Sequence, residues 1–144
     1  MLALPFVDAS FDVVRSNAAL MYVLDAAPAI GAHLAVSEAV RVLRSGGIFY
    51  VAVKEGKGVQ RDRKGMPVQH YTRKTLRNLL EANGLKIIGR ITTQRGGRAG
   101  RKVERWLYVS AEKPFVRYAS IANATQVSDA TAQARIEALR QDIR

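Results

Sequence analysis

Residues 4–14 read LPFVDASFDVV and predict a turn, a short acidic loop and then a strand. Proline fixes its own backbone angle and suits the turn, and residues 11–14 are rich in aromatic and β-branched side chains. The run IFYVAV at residues 48–53 has the same character. Runs of this kind without alternation are typical of parallel strands that helices cover on both faces. We therefore predict that both strands are buried on both faces.

A helix is predicted between these two strands, over about residues 28–44. Its larger apolar residues recur at roughly helical spacing and are expected to form one buried face. They are Ile30, Leu34, Val40 and Leu43. Ser45-Gly46-Gly47 is expected to end the helix, because glycine adopts the left-handed conformation that a helix C-terminus favours.

A second helix is predicted after Thr72, whose side chain can cap the first turn. Leucines 76, 79 and 80 share one face of this helix, and Asn83-Gly84 is expected to end it. A terminal helix is predicted to begin at Ser128, and its narrow apolar stripe consists of Ala132, Ile136, Leu139 and Ile143.

Two further strands are predicted at residues 85–91 and 106–109, where apolar and polar residues alternate. Alternation favours positions nearer the sheet edges. The segments 54–70 and 92–102 lack periodicity and are predicted to be loops. The order strand, helix, strand, helix, strand, strand indicates an α/β domain with a mainly parallel sheet and an antiparallel addition at its end.

The order and spacing of these strings resemble the second half of class I S-adenosylmethionine-dependent methyltransferases of the small-molecule, type 11-like kind. There LPFPD-x-SFD leads into the fourth strand, and E-x-x-RVL-(K/R)-PGG precedes the fifth. Residues 4–14 and EAVRVLRSGG at 38–47 match them, with Ser45 in place of the proline. HYTRKTLRNLLEANGLKII at 70–88 is similar to the next helix and sixth strand, and RWLYVSAEKP at 105–114 to the antiparallel seventh.

The resemblance implies a Rossmann-like methyltransferase sheet over residues 1–114 that lacks its amino-terminal strands, followed by a linker and an extra helix over 115–144. It implies methyl transfer from S-adenosylmethionine to an unidentified acceptor. In this family a G-x-G-x-G turn and a ribose-binding carboxylate come earlier in the domain. Neither occurs before Leu4, so we expect a truncated enzyme whose isolated chain binds the cofactor weakly or not at all and can be inactive.

The resemblance also implies site residues near the ends of the parallel strands. The cofactor-binding candidates are Ser16, Asn17 and Ala18, and the substrate-binding candidates are Leu20, Tyr22, His70 and Tyr71. Tyr22 stands where the family often has histidine, so no catalytic residue is assigned. His33 is expected to be a partly exposed or packed residue of the first helix. With no cysteine and no carboxylate cluster, no metal site is predicted.

The charge distribution supports an alternative function. The chain has 23 basic and 12 acidic residues, a net charge of +11, and residues 54–118 hold 17 basic and 5 acidic residues. A concentrated positive field attracts anionic partners. The alternative is therefore a non-catalytic basic module that binds nucleic acid through 54–64 and 95–105, or an acidic protein. The preferred partner is a small-molecule acceptor.

The sequence also carries signals about the location of the protein in the cell and about its self-association. The start of the chain lacks a basic signal-peptide region, and the sequence has no apolar run of 18 residues, which favours a cytoplasmic protein without membrane contact. If the first strand lacks a neighbour, its backbone groups need a partner. A homodimer, an amino-terminal half supplied in trans, or the terminal helix could provide one, and we expect self-association.

Overall fold

A computed structural model of the protein describes residues 3–24, 30–97 and 102–115. The chain divides into two units, Met1–Pro114 and Phe115–Arg144, and the following description concerns the first. The helix predicted from Ser128 lies outside the described residues.

The elements of this unit alternate between strands and helices before ending in two strands. They are β1 (Phe11–Asn17), a 3₁₀ helix (Leu20–Tyr22), α1 (Ile30–Val42), β2 (Leu43–Lys54), β3 (Val59–Arg61), β4 (Pro67–Gln69), α2 (Arg73–Ala82), β5 (Lys86–Gly96) and β6 (Glu104–Glu112). The main sheet has the order β1-β2-β6-β5, and β3 and β4 form a separate hairpin. β1 is parallel to β2, whereas β6 is antiparallel to both of its neighbours. This is the predicted α/β arrangement with an antiparallel addition.

The two parallel strands differ in burial. β2 is a core strand, with Phe49 and residues 51–53 almost fully buried, as predicted. The prediction that β1 is also buried on both faces is wrong. Val13 is 58% exposed, and the buried residue of β1 is Ser16. Among the described strands, β1 pairs on one side only, with β2.

The alternating strands also need a correction. β5 lies at a sheet edge as expected, but β6 lies in the interior between β2 and β5. Leu107, Val109 and Ala111 of β6 are buried, while the residues between them are partly accessible. Alternation here reflects two differently covered faces of an inner strand, because side chains of a strand point to opposite faces in turn.

Helix α1 forms where predicted, but its predicted buried face is only partly confirmed: Leu43 is buried as the first residue of β2, and Val40 is partly buried. Leu34 is 50% exposed. The buried residues of α1 are smaller and lie on another side of the helix: Ala32, Ala35, Val36, Ala39 and Val42. Alanine brings a helix axis close to its neighbour, so this face packs on the sheet, and counting only large apolar residues selected the wrong side.

The end of α1 is fastened by a residue far along the chain. Gly46 has a left-handed φ of 81°, and its N–H donates to the carbonyl of Lys113 over 2.6 Å. The Nζ of Lys113 in turn donates to the carbonyls of Val40 and Leu43, each over 2.7 Å. These are carbonyls that a helix end leaves without intrahelical partners.

Helix α2 agrees with the prediction throughout. The Thr72 side chain accepts from the Thr75 N–H, and Thr75 Oγ1 accepts from the Thr72 N–H, which gives a reciprocal capping box. Leucines 76, 79 and 80 are buried, and the turn after the helix contains Gly84 with a left-handed φ of 80°.

The two predicted loops are partly strands. Segment 54–70 contains the β3–β4 hairpin, and residues 92–96 extend β5. The hairpin turn is held by Asp62, whose Oδ1 accepts from the N–H groups of Lys64 and Met66 at 2.8 and 2.9 Å. Gly65 has the left-handed φ of 77° that this turn requires. A short hairpin with one buried residue, Val68, carries too little periodicity to be recognised.

The first residues of the chain are tied to α1 by one arginine. Arg41 forms a two-point ion pair with Glu38 at 2.7 and 2.8 Å and donates to Asp8 Oδ1 at 2.7 Å. It also donates to the carbonyls of Leu4 and Phe6. Glu38 accepts from the Leu4 N–H at 2.7 Å. The strings LPFVD and EAVRVL, 30 residues apart, therefore form one network.

This network predicts an acid-sensitive attachment. The hydrogen bond from Arg41, followed by that from the Leu4 N–H, lowers the pKa of Glu38 from 4.5 to about 2. A carboxyl whose pKa is lower when folded stabilises the fold above its unfolded pKa, and this is lost as pH falls towards the folded pKa. We expect the thermal midpoint to fall between pH 4.5 and about 2, and Glu38→Gln to lower it at pH 7 and flatten this dependence. Glu81→Gln, in an exposed pair with Arg77, is the control. An unchanged pH profile in Glu38→Gln would contradict the assignment.

Candidate functional site at the carboxyl ends of the parallel strands

The carboxyl ends of β1 and β2 lie at the same edge of the sheet. Asn17, the last residue of β1, pairs with Ala52, two residues before β2 ends at Lys54. In open α/β sheets, ligands bind beyond the carboxyl ends of parallel strands. The loops that follow Asn17 and Lys54 are therefore where a site is expected.

The three predicted cofactor-binding residues form a single turn at this edge. Ser16 is buried, and its Oγ accepts from the Leu20 N–H at 3.2 Å. The N–H of Ala18 donates to the carbonyl of Ala52 at 2.9 Å, and Ala18 has a left-handed φ of 53°. Such a conformation costs a non-glycine residue roughly 1–2 kcal/mol and is often found at binding turns. Ser16 holds the turn from inside, and Asn17 is exposed.

The four predicted substrate-binding residues differ in burial and in whether they line a cleft. Leu20 has no exposed surface and belongs to the core, so it supports the turn rather than lining a cleft. Tyr71 is also buried, but it contributes to a cleft wall. Tyr22 is 43% exposed, and its hydroxyl lies 3.3 Å from Asp62 Oδ2 in the hairpin. His70 follows the hairpin and is half-buried.

A cleft of about 930 Å³, here called the helix-side cleft, opens between α1, α2 and the hairpin. Its walls include His33, His70 and Tyr71, together with apolar residues such as Val23 and Leu79. A cavity of this volume with apolar walls and a few polar groups is typical of small-molecule sites. Two of the four predicted substrate-binding residues, His70 and Tyr71, therefore meet in one cleft.

The imidazole of His70 is held against the backbone of Gly56. A Cβ atom at residue 56 would lie 3.0–3.2 Å from the ring, so glycine leaves the space that the imidazole uses. The His70 N–H donates to the Gly58 carbonyl at 2.9 Å. Burial lowers the pKa of His70 below its usual 6.5, and the charge of Lys54 acts in the same direction, while a backbone hydrogen bond to Val68 opposes them. His70 is therefore a neutral imidazole at pH 7.

His33 lies on the opposite wall of the helix-side cleft. Its Nδ1 is 3.2 Å from the side-chain nitrogen of Asn83, which also donates to the Leu79 carbonyl at 2.8 Å. The ring is half-buried. This placement agrees with the expected packing role in α1, and it links the first turn of α1 to the end of α2.

A second cleft of about 580 Å³, here called the hairpin cleft, lies between Tyr22, the β3–β4 turn and the facing ends of β5 and β6. Lys54 and Glu104 meet in it, with Nζ and Oε1 2.9 Å apart, and Lys54 Nζ lies 5.7 Å from the centre of the Trp106 ring. A neighbouring cavity of about 460 Å³ shares five lining residues with it: Lys54, Asp62, Arg63, Lys102 and Glu104.

The hairpin cleft was not predicted from the sequence. Its walls come largely from segments that the periodicity analysis assigned to loops, and Trp106 opens the last predicted strand. Trp106 packs against the core, but it also lines the cleft. The signal that could have located the cleft is the basic composition of residues 54–64 together with the tryptophan that opens the last predicted strand.

Within residues 3–24, 30–97 and 102–115, no group of three or more histidine, cysteine or acidic side chains is placed to hold a metal ion. No helix in the same part of the chain has the length and apolar character needed to cross a membrane.

Comparison with known proteins agrees with this geometry. Residues 1–51 match the family described as "Methyltransferase domain", while no curated protein matches significantly. A SAM-dependent methyltransferase from Methanosarcina mazei is similar in structure, with a TM-score of 0.67, 20% identity and coverage of 80% of this chain and 65% of that chain.

Two further solved structures are similar to this chain. The 1,6-didemethyltoxoflavin-N1-methyltransferase of Burkholderia thailandensis, solved with bound S-adenosylhomocysteine, has a TM-score of 0.61 at 20% identity and covers 79% of this chain and 48% of that chain. The [4+2]-cyclase SpnF has a TM-score of 0.55 at 20% identity, with coverage of 80% and 54%. The chain thus spans about half to two thirds of these proteins. The predicted fold is confirmed: the chain carries a Rossmann-like α/β fold similar to that of S-adenosylmethionine-dependent methyltransferases.

Proposed function

We propose that this chain is part of an enzyme that transfers a methyl group from S-adenosylmethionine to a small-molecule acceptor. The observation that carries the proposal is the strained turn Ser16–Ala18 at the carboxyl ends of two parallel strands. The matched family segment, residues 1–51, includes this turn. The Burkholderia relative with S-adenosylhomocysteine supports the choice of cofactor.

Asn17 and the backbone around Ala18 are the groups placed to contact the cofactor. The exposed amide of Asn17 can donate to and accept from polar groups, while Ser16 Oγ is engaged in holding the turn. When bound, S-adenosylmethionine supplies a methyl group on an already activated sulfonium, so positioning provides much of the rate. The residues around the two clefts then hold the acceptor in line with the methyl group and the sulfonium, and they exclude water.

Tyr22, His70 and Tyr71 are the residues that we assign to the acceptor. Tyr22 projects from the segment after β1 and touches the hairpin through Asp62. His70 is neutral at pH 7 and can accept a hydrogen bond or a proton from the acceptor as its nucleophilic atom gains the methyl group. Leu20 acts from the core by supporting the turn.

Cofactor binding is the direct test. The sequence holds no G-x-G-x-G turn that follows a strand and opens a helix, so we expect the 144-residue chain to bind S-adenosylmethionine with a dissociation constant above about 0.1 mM. Nuclear magnetic resonance at millimolar cofactor should shift the backbone amides of residues 16–18, and Asn17→Ala should remove this response. Gln94→Ala, at an exposed position of β5, should retain it. Shifts elsewhere with none at the turn would refute the proposal, and calorimetry giving a micromolar constant would refute the expected weakness.

The second candidate function is a non-catalytic basic module that binds nucleic acid or an acidic protein. It is favoured by exposed cations in residues 54–64 and 95–105, among them Arg63, Lys64 and Lys102. Binding of nucleic acid releases condensed counterions, so its affinity falls steeply with salt. This candidate predicts such a dependence with no response to S-adenosylmethionine.

A further inference from the structure

We infer that the hairpin cleft binds the phosphate, or a comparable polyanionic group, of the small-molecule acceptor. This inference depends on the proposed function, because only a methyltransferase would hold an acceptor beside the cofactor turn. It names a substrate class that the fold does not specify, since one fold supports many acceptors and even other reactions.

The acidic groups of the cleft are already engaged within the protein. Asp62 accepts from the N–H groups of Lys64 and Met66 and lies against the Tyr22 hydroxyl, and the bond from Met66 is the largest cause that lowers its pKa. Glu104 is paired with Lys54 at 2.9 Å. Both carboxylates therefore already have partners within the protein.

Three cations of the same cleft have no such partner. Arg63, Lys64 and Lys102 line the cavity and are exposed, and among the described residues their side chains form no ion pair. The cleft is lined by four basic and two acidic residues, so its net formal charge is 4 − 2 = +2 in a concave space. Concave sites with charge of one sign focus the field on a ligand of opposite charge.

The loop that carries two of these cations is held in place before any ligand arrives. Asp62 fixes it through the two backbone amides, and Arg61 Nη1 donates to the Gly65 carbonyl at 2.7 Å. A loop that is already ordered loses less conformational entropy on binding. Arg63 and Lys64 are therefore presented by a shaped turn.

The location connects the cleft to the proposed reaction. Tyr22 comes from the 3₁₀ helix that follows β1, and Lys54 is the last residue of β2, so both parallel strands lead into the same wall. Ligands in this type of sheet bind beyond those strand ends. An anion held by the hairpin cations thus lies on the side of the sheet where the cofactor turn is found.

The shape favours a small molecule over a nucleic acid. The three cations line one cavity of about 580 Å³, whose walls also include Tyr22 and Trp106. This volume is within the usual range of small-molecule sites. A nucleic-acid strand is instead bound along a basic groove with successive aromatic platforms.

The protein contains its own reporter for this cleft, because Trp106 is its sole tryptophan. We expect a saturable change in its fluorescence on titration with pyrophosphate, and a loss of at least tenfold in affinity in the triple variant Arg63→Gln, Lys64→Gln, Lys102→Gln. The matched control is Lys74→Gln, Lys86→Gln, Arg90→Gln, which removes the same charge at exposed positions outside the cleft and should change affinity less than twofold. No saturable change, or an equal loss in both variants, would overturn the inference.

Two further measurements, with an oligonucleotide and with the cofactor, distinguish failure of this inference from failure of the proposed function. A single-stranded oligonucleotide that binds more tightly than pyrophosphate, with a steep salt dependence and equal weakening in both triple variants, would assign the charge to nucleic acid and overturn the inference. A cofactor response at residues 16–18 without pyrophosphate binding would overturn the inference and leave the proposed function standing. Pyrophosphate binding without any cofactor response would overturn the proposed function and with it the assignment of the anion to an acceptor.

Discussion

Replacing Gly47 with alanine is expected to lower the free energy of unfolding by about 2–3 kcal/mol. A Cβ atom at this position would lie 2.8 Å from the Arg44 carbonyl oxygen and 3.0 Å from that of Asp12. Both neighbours are backbone atoms, which cannot rotate away as a side chain can. The methyl group therefore forces β1 away from the bend at Gly46-Gly47 near the start of β2, here called the α1–β2 turn.

Chemical denaturation of Gly47→Ala and the wild type measures this effect. The matched control is Gly97→Ala, where the nearest non-neighbouring atoms are 3.5 and 3.6 Å from the added Cβ, an ordinary contact distance. We expect the control to change stability by less than about 0.5 kcal/mol. Equal denaturation midpoints for Gly47→Ala and the wild type would show that the α1–β2 turn is not packed as described.

Val13→Lys is expected to raise the dissociation constant of a homodimer by about 100-fold, which corresponds to about 2.7 kcal/mol. Among the described strands, β1 pairs on one side only, and Val13 on it is 58% exposed. An apolar strand with a free edge is a template for pairing with a second chain, and a lysine on that strand is a device by which proteins prevent it. We therefore propose that two copies associate through β1.

Light scattering over a dilution series of both proteins provides the measurement. Val59→Lys is the control, because Val59 is equally exposed on the hairpin strand β3, away from the main sheet. This variant should associate like the wild type. A wild-type protein that stays monomeric at every concentration would contradict the proposal.

The sequence predicted correctly those elements that are defined by interactions between residues a few positions apart. Helix α2 is defined by the Thr72 cap, three leucines at helical spacing and Gly84, and each of these acts within a few residues. The buried face of α1 could not be predicted in the same way. It depends on how closely alanines such as Ala35 and Ala39 approach the sheet, while the larger Leu34 stays in solvent.

The candidate site shows the same difference between contacts that are local in sequence and contacts that are not. The turn Ser16–Ala18 was proposed as a cofactor contact from the family resemblance, which matches a short string at the end of one recognisable strand. The hairpin cleft was not predicted, because its defining contacts join residues far apart in sequence. Tyr22 meets Asp62 across 40 residues, and Lys54 meets Glu104 across 50. Periodicity over a short window carries no information about such pairs.

The inner position of β6 sets the order in which the sheet can be assembled. The strand that joins β2 to β5 is the last strand of the first unit to leave the ribosome. Until then β2 and β5 have no common neighbour, and the end of α1 lacks the ammonium of Lys113. Sheets that depend on distant pairing form slowly and expose strand edges meanwhile. The nascent chain therefore carries an unsatisfied edge of β2 from residue 54 until β6 (Glu104–Glu112) is made, and β6 then satisfies the edges of both β2 and β5 in a single step.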